Sequence, residues 1–403
     1  MKKLSLVLLF LVVILNAGGQ IPSCDGNRYK NPVFGSVDST KDILFGSNYT
    51  MNNVLQYLRL DFYEPTGDTV SKRPLIIFIH GGGFISGGKS EISQLCICFA
   101  VRGFAVASID YRLIDVPILD STVVIEGFVK AMSDAKAAVR FFAQDAATGN
   151  QYRTDTNNIF VSGISAGGII ASHAAYLDST DNIPAYLLNL INENGGFSGN
   201  SSSDSSYISK ITGVISYSGA LLQRDFISAG EPAVFSVHDS GDTIVPCNHG
   251  LSGTNISPLF LDGGCAMQEE ATIKGLYNGI FLNQSNGHVA YFTSFPLADT
   301  VVQRSADFLY NLFCNTMVEV PDESGDLSEI RLFPNPADNT IQIYLSNENI
   351  EGEHIQLYNS IGVLLKEIDA APATRMDISD LPKGLYLVHL KKYPEKAKVF
   401  FKH

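Results

Sequence analysis

Between residues 54 and 318, short and almost unbroken apolar runs alternate with longer stretches of helical periodicity. Val54 to Tyr63 reads as a strand, and Leu75 to Ile79 is a continuous apolar run ahead of His80. Ile92 to Val101 is helical in pattern, Phe104 to Ile109 a strand, and Val124 to Ala143 a long helix. Ile159 to Ser162, Val214 to Tyr217 and Ala233 to His238 read as further strands, and Gly167 to Tyr176 as a helix. A strand that is apolar at every position must be covered on both faces, and crossover helices supply that cover in parallel sheets. The expected fold is α/β, with a mostly parallel sheet and helices on both faces. Residues 178 to 210 interrupt the rhythm with an apolar half around Tyr186-Leu187-Leu188 and a Gly-, Ser- and Asn-rich half. A stretch that long reads as a lid or as a surface excursion.

The composition near Val318 changes. Glu319 to Glu329 is acidic and holds Pro321 and Gly325, which suits a linker. Beyond it come the short alternating runs Thr340 to Leu345, Ile355 to Tyr358, Val363 to Ile368, Leu385 to Leu390 and Val399 to Lys402. Turn residues separate them, so residues 330–403 are expected to form a small all-β sandwich. At the other end, Lys2 and Lys3 precede the apolar run Leu4 to Leu15 and the small residues Ala17, Gly18 and Gly19. That run falls short of the roughly 20 residues that span a bilayer, and it suits a cleaved export signal over residues 1–19. No stable transmembrane segment is expected, and Ile21-Pro22-Ser23 before Cys24 is a poor lipoprotein signal. The expected division is therefore a signal at 1–19, a catalytic α/β domain at 25–318, a linker at 319–329 and the sandwich at 330–403.

A formal charge of -13 argues against a nucleic-acid partner, as does the lack of an arginine-rich stripe. Six cysteines in an exported chain permit disulfides. Cys247 and Cys265 flank a flexible-looking loop and are the favoured pair, whereas Cys96 and Cys98 suit buried packing on a helix.

The strongest local pattern is Gly163-Ile164-Ser165-Ala166-Gly167-Gly168, directly after an apolar strand and opening a helix. A turn that sharp strains the backbone at the serine. Glycines two residues to either side remove the clashes and leave the hydroxyl exposed at the sheet edge. His80-Gly81-Gly82-Gly83-Phe84 follows another buried strand, and its bare backbone lets N–H groups approach a substrate oxygen. Gly87-Gly88-Lys89-Ser90 lacks the earlier glycine that a phosphate loop requires.

These residues resemble the carboxylesterase/lipase branch of the α/β-hydrolases, the group with HGGGF and GxSAGG that includes bacterial carbohydrate esterases. The likeness runs from about Val54 to His288 and includes Arg73-Pro74-Leu75, Ser108-Ile109-Asp110-Tyr111-Arg112 and Asp134-Ala135-Lys136-Ala137-Ala138-Val139. It implies an oxyanion hole built from the N–H groups of Gly82, Gly83 and Ala166. His238-Asp239-Ser240-Gly241-Asp242-Thr243-Ile244-Val245-Pro246 resembles the family's HGxxDxxVP stretch, with Asp239 in place of a glycine. Asp242 takes the acid's position, and Asp239 competes with it.

Of eight histidines, His80 belongs to the glycine loop, His173 suits packing and His238 precedes the acid. His249 comes too soon after Asp242, and His354, His389 and His403 lie past the linker. His288 remains as the base. Chain order Ser165, Asp242, His288 then gives a serine-ester hydrolase working through an acyl-enzyme, with no metal or organic cofactor. Acetyl or feruloyl esters of carbohydrates are the substrates suggested by analogy. The rivals are a prolyl-oligopeptidase-like serine peptidase and a non-catalytic surface binding protein.

Leu332-Phe333-Pro334-Asn335-Pro336-Ala337, Leu357-Tyr358-Asn359, Gly362 and Leu381-Pro382-Lys383-Gly384-Leu385-Tyr386 resemble the C-terminal sorting domain of type IX secretion substrates. This likeness implies passage through the outer membrane of a Gram-negative cell by the type IX machinery, cleavage near the linker, and a secreted or surface-attached product. A carbohydrate-binding or adhesive sandwich is the alternative, although the chain has no tryptophan for a sugar platform.

Overall fold

The computed structural model describes residues 24–117, 120–201, 206–253, 259–315, 330–333, 337–345, 352–359 and 363–402. The export segment expected at 1–19 and the linker expected at 319–329 lie outside them. The chain divides into two compact units, residues 1–318 and 319–403.

Among the described residues the first unit holds eleven strands: β1 (Val37–Tyr49), β2 (Leu55–Pro65), β3 (Arg73–Ile79), β4 (Ala105–Ile109), β5 (Thr154–Ile164), β6 (Gly213–Tyr217), β7 (Ala220–Leu221), β8 (Ala233–Asp239), β9 (His249–Leu251), β10 (Phe260–Gly263) and β11 (Asn278–Asn283). Its helices are α1 (Ser93–Ala100), α2 (Ser121–Thr148), α3 (Ala166–Tyr176), α4 (Ala185–Glu193), α5 (Gly264–Ile273) and α6 (Phe295–Asn315). Eight strands form one sheet in the order β1-β2-β4-β3-β5-β6-β8-β11. From β4 to β11 every pairing is parallel, and β1 and β2 add antiparallel at one edge. This is the expected α/β architecture.

Strand β3 shows why the apolar runs are continuous. Leu75, Ile77 and Ile79 face the core that α2 and α3 cover. Ile76 and Phe78, pointing the other way, join Phe99 of α1 and Val301, Leu309 and Phe313 of α6. Both faces are dry, so alternation disappears from the sequence. Edge strand β1 has a mostly polar, exposed pattern, which is why it has no apolar signature. Helices α5 and α6 and the small sheet β7-β10-β9 also go beyond the elements read from the sequence.

Residues 178–210 are less free than an excursion would be. Helix α4 packs Leu187 and Ile191 into the core. After it, Lys136 of α2 donates to the Phe197 carbonyl at 2.9 Å, and Arg140 donates to that of Ser198. Ser201 is fully buried, donating to Asp134 and receiving the Arg112 guanidinium at 3.0 Å. Burial pulls the Lys136 ammonium down to about 8. Gly199 is needed because a Cβ there would lie 2.3 Å from Ser133 Oγ. Residues 194–201 are thus strapped along α2, and residues 202–205 lie outside the description.

Cys247 pairs with Cys265, as expected, and a second disulfide joins Cys24 to Cys314 across 290 residues. The Cys24 sulfur is thereby committed, which leaves no thiol there for a lipid anchor. Cys96 is buried and Cys98 half-buried, and both are free thiols. Among the described residues no helix is long and apolar enough to cross a membrane.

In the second unit, β12 (Ile330–Phe333), β13 (Thr340–Leu345) and β16 (Ala373–Asp377) form one antiparallel sheet in the order β12-β13-β16. The other contains β14 (His354–Asn359), β15 (Leu364–Asp369), β17 (Gly384–Leu390) and β18 (Tyr393–Lys402), in the order β15-β14-β17-β18. Ile341 and Ile343 of the first sheet share a core with Ile355, Leu357 and Val388 of the second. Two sheets facing one core make a sandwich. Residues 334–336 and Gly362 of the sorting motifs lie outside the description.

A cross-link that closes so long a loop restricts the unfolded chain strongly, to the extent of about 2–5 kcal/mol. Replacing Cys24 and Cys314 together by serine should lower urea-unfolding stability by about that amount. Thiol titration of the denatured oxidised chain should find two thiols, those of Cys96 and Cys98.

Candidate active site

Strand β5 runs into α3 through Ser165, whose backbone sits at φ 55°, ψ -118°. A non-glycine residue at positive φ is strained and persists only where its surroundings enforce it. Here the Ser165 N–H donates to the Tyr217 carbonyl of β6 at 2.8 Å, and its own carbonyl receives Ile169 N–H at 3.0 Å. Gly163 and Gly167 let the turn close. A Cβ on Gly163 would come within 2.2 Å of Gly167 carbonyl atoms, and one on Gly167 within 2.1 Å of the Ile79 carbonyl oxygen.

His288 follows β11 and reaches back over this turn. Its Nε2 lies 2.8 Å from Ser165 Oγ, and its Nδ1 lies 2.7 Å from Asp242 Oδ2. With the carboxylate accepting from Nδ1–H, Nε2 is left as acceptor for the serine hydroxyl. Asp242 Oδ1 accepts from Ile244 N–H at 2.9 Å and Val245 N–H at 3.0 Å. Burial alone would raise its pKa, yet the bonds from His288 and these two amides hold the carboxyl below the usual range. The three residues proposed from chain order are therefore brought together. Beneath them His238 is buried and its pKa is lowered by that burial. Its Nε2–H donates to Val245 O at 2.9 Å, and its Nδ1 accepts from Gly264 N–H at 3.2 Å.

Asp239 does something different from Asp242. Its Oδ2 accepts from Ala290 N–H at 2.8 Å, and its Oδ1 accepts from the Asn283 side chain. The carboxylate thus grips both ends of the loop that carries His288. Val289, next to the histidine, is β-branched and sits at φ 53°, a conformation it would not adopt unaided. Gly241 lets the loop approach, since a Cβ there would lie 2.1 Å from Asn286 Oδ1. The two candidate acids divide the work: one meets the imidazole, and the other holds its loop.

The glycine loop lies beside the elbow. Gly82 and Gly83 have φ of 106° and 61°, and neither donates its N–H to a partner among the described residues. Ala166 opens α3, so its N–H has no helical acceptor. The loop is fixed through Gly81, whose carbonyl accepts from His80 Nδ1–H at 2.7 Å and Tyr111 Oη–H at 3.2 Å. The His80 and Tyr111 rings stack with centroids 4.3 Å apart.

Ser165, His288, Gly82, Gly83 and Ala166 all line one cavity of about 490 Å³. Its other walls are apolar: Val124 and Phe128 from α2, Ile169 from α3, and Leu222, Leu259 and Leu261. Asp242 lies behind His288 rather than in the wall. The wall residues escaped sequence reasoning, because an apolar residue facing a cavity has the same pattern as one facing a core. His173 packs as expected, donating from Nδ1 to Ile169 O and accepting Leu222 N–H at Nε2. His249 pairs with Asp262 at 2.9 Å, apart from the cavity wall.

Residues 60–221 match the BD-FAE family, and residues 331–400 match the Secretion system C-terminal sorting domain. Esterase LipI of Mycobacterium tuberculosis is 34% identical over 112 residues, 28% of this chain and 31% of that protein. A probable isoprenylcysteine alpha-carbonyl methylesterase of Oryza sativa subsp. japonica is 36% identical over 117 residues, 29% of this chain and 25% of that protein. The match thus spans about a third or less of these relatives' length. Thermogutta terrifontis esterase 2, in its paraoxon-phosphorylated form, superposes with a TM-score of 0.50 at 19% identity, covering 70% of this chain and 95% of that one. A truncated carbohydrate esterase from gut microbiota gives 0.51 at 16% identity, over 70% and 97%. These likenesses establish the shared fold. With the strand order and elbow described above, residues 60–221 belong to the BD-FAE domain family of α/β-hydrolase type, and residues 331–400 to the Secretion system C-terminal sorting domain family.

Proposed function

We propose that this chain is an exported serine esterase that cleaves carboxylic esters through an acyl-enzyme on Ser165. The observation that carries this reading is the unbroken hydrogen-bonded series from Ser165 Oγ to His288 to Asp242 at the mouth of an apolar cavity. In the first step His288 Nε2 takes the hydroxyl proton while Oγ bonds to the ester carbonyl carbon. The carbonyl oxygen becomes an anion, and the N–H groups of Gly82, Gly83 and Ala166 are the donors for it. The imidazolium then gives its proton to the departing alcohol, and the acyl group stays on Oγ. Water, deprotonated by the same nitrogen, releases the acid. Asp242 keeps the tautomer correct and offsets the positive charge on the ring.

The cavity supports an ester of modest size. Among the described residues the wall carries no Asp, Glu, Lys or Arg, so an uncharged acyl group enters without facing a desolvated carboxylate, ammonium or guanidinium. Acetyl and feruloyl groups on carbohydrates both satisfy that requirement. The sorting-domain match at residues 331–400 supports export by the type IX machinery to the cell surface or medium.

Ser165→Ala should lower kcat on p-nitrophenyl acetate by about 10⁶, with little change in stability. Cleavage that survives the substitution would refute the nucleophile, and activity on a peptide anilide alone would favour a peptidase. Asp242→Ala should cost about 10⁴ in kcat. Asp239→Ala should cost about 10–100-fold through a misplaced imidazole, while Asp239→Asn, which keeps an acceptor for Ala290, retains most of the rate. Equal losses at 239 and 242 would contradict the division of labour. Because the folded Asp242 carboxyl lies below its usual 3.8, its ion stabilises the fold above that pH. The contribution is lost as the pH falls through the depressed value. The urea-stability gap between wild type and Asp242→Asn should therefore shrink between about pH 5 and pH 2.

A further inference from the structure

Three walls of the cavity that holds Ser165 meet on a residue that does not line it. Phe128 of α2, Ile169 of α3 and Leu222 after β7 face the cavity, and His173 touches all three. Its imidazole is fully buried, with its ring centroid 4.6 Å from that of Phe128. The Phe226 ring stands at 66° to it, 6.2 Å away.

The polar atoms of the ring are spent on the cavity wall. Leu222 N–H donates to Nε2 at 3.1 Å, which makes that nitrogen the acceptor and puts the ring proton on Nδ1. Nδ1–H then donates to the Ile169 carbonyl at 2.8 Å. Burial pulls the pKa of the ring down to about 4, and the Lys136 charge acts in the same direction, so near pH 7 the ring is neutral.

A site that only needed filling would not call for this residue. A leucine there would bury no polar atom, whereas a histidine must find partners for two nitrogens. Leu222 shows what those partners gain. The β7–β10 pairing ends at Leu221, opposite Asp262, and Arg224 N–H is held by the Asp262 carboxylate at 2.8 Å. Leu222 lies between these anchors, and the imidazole ties it to α3 instead of to β10.

We propose that His173 is a positioning residue for acyl specificity. It fixes Phe128, Ile169 and Leu222 relative to one another and so shapes the apolar wall along which an extended acyl chain lies. An acetyl group ends close to Ser165 Oγ and does not need that wall, whereas a hexanoyl chain does. The proposal rests on the esterase reading of Ser165 and adds the residue that governs how well long acyl groups are held.

The test compares wild type, His173→Leu, His173→Asn and His173→Gln on p-nitrophenyl acetate, butyrate and hexanoate. Glutamine is long enough to accept Leu222 N–H in place of Nε2, and asparagine replaces only Nδ1. His173→Leu and His173→Asn should lower kcat/KM on the hexanoate about three- to tenfold, chiefly through KM. On the acetate both should stay within about twofold of wild type. His173→Gln should recover most of the hexanoate activity. A residue needed only for stability would instead depress all three esters alike. That result, unchanged hexanoate cleavage, or equal behaviour of the asparagine and glutamine variants would each overturn the proposal.

Measurements on wild type keep the idea refutable should a variant not fold. Nitrogen NMR of the imidazole at pH 7 should show a neutral ring protonated at Nδ1, and a proton on Nε2 would break the link to Leu222. If wild type cleaves none of the esters, the esterase reading has failed instead. Amide exchange at Leu222 then decides the wall by itself. It should be slow in wild type and His173→Gln and at least about tenfold faster in His173→Leu, and equal rates would overturn the link.

Discussion

The positive-φ backbone at Ser165 is the constraint on which the rest of the α/β unit turns. Holding a serine at positive φ costs on the order of 1–3 kcal/mol, and nothing within the turn itself repays that. The compensation comes from backbone packed on backbone. Gly167 lies under the carbonyl of Ile79, Gly163 against Gly167, and Gly168 against Gly219, all at distances no side chain permits. These approaches draw α3 onto the ends of β3, β5 and β6, and the N–H of Ser165 is tied to Tyr217 across the gap. Closing the turn therefore also places its neighbours. Gly81 sits so near Ile164 that a Cβ on it would be 3.1 Å from that carbonyl, which sets the glycine loop beside the serine. Strain, glycine spacing and the position of the proposed anion donors are one arrangement.

The proposed base arrives from a less rigid direction, and more contacts hold it in place. His288 is carried by a loop, and loops do not hold a side chain to a few tenths of an ångström without help. Asp239 gives that help from the end of β8, while Ser240 N–H bonds to Asn283 O and Gly241 N–H to Ser285 O, both at 2.8 Å. The loop is thereby stitched to the strand end that precedes Asp242. His288 and Asp242, the proposed base and acid, share a single scaffold, so their 2.7 Å bond follows from local geometry rather than from the packing of distant elements.

How much of this is legible in the sequence follows from how far apart the partners are. The elbow and the glycine loop each declare themselves within six residues, because the backbone conformations they need restrict which residues can occur. The parallel sheet is legible for the same kind of reason, since burial on both faces leaves continuous apolar runs. His288 emerges only by elimination, as its 123-residue separation from Ser165 leaves no local trace. Asp239 shows the limit more sharply. Its partners lie 44 and 51 residues away, so the sequence displays a spare carboxylate beside the acid and gives no sign of what it holds. The edge strand β1, the bond between Cys24 and Cys314, and the strap at residues 194–201 are silent likewise. Each depends on partners chosen by the folded chain, and polar or isolated residues leave no periodicity to read.

The placement of the disulfides bears on how the α/β unit keeps its fold. Cys314 lies at the end of α6, and the linker expected at 319–329 begins just beyond it. Its bond to Cys24 fastens the first described residue to the last helix of the α/β unit, so the whole α/β body lies inside one covalent loop. Loss of everything after that helix would leave the loop intact. The second bond, Cys247 to Cys265, performs the same service on a small scale. It ties the chain after Asp242 to the start of α5, beside the cavity walls Leu259 and Leu261. Neither cross-link touches Ser165, whose position is already enforced by backbone contacts. The two bonds thus act on different scales, one closing the α/β unit from Cys24 to Cys314 and the other a short loop near the cavity wall, and a cross-link restricts the unfolded chain more the longer the loop that it closes.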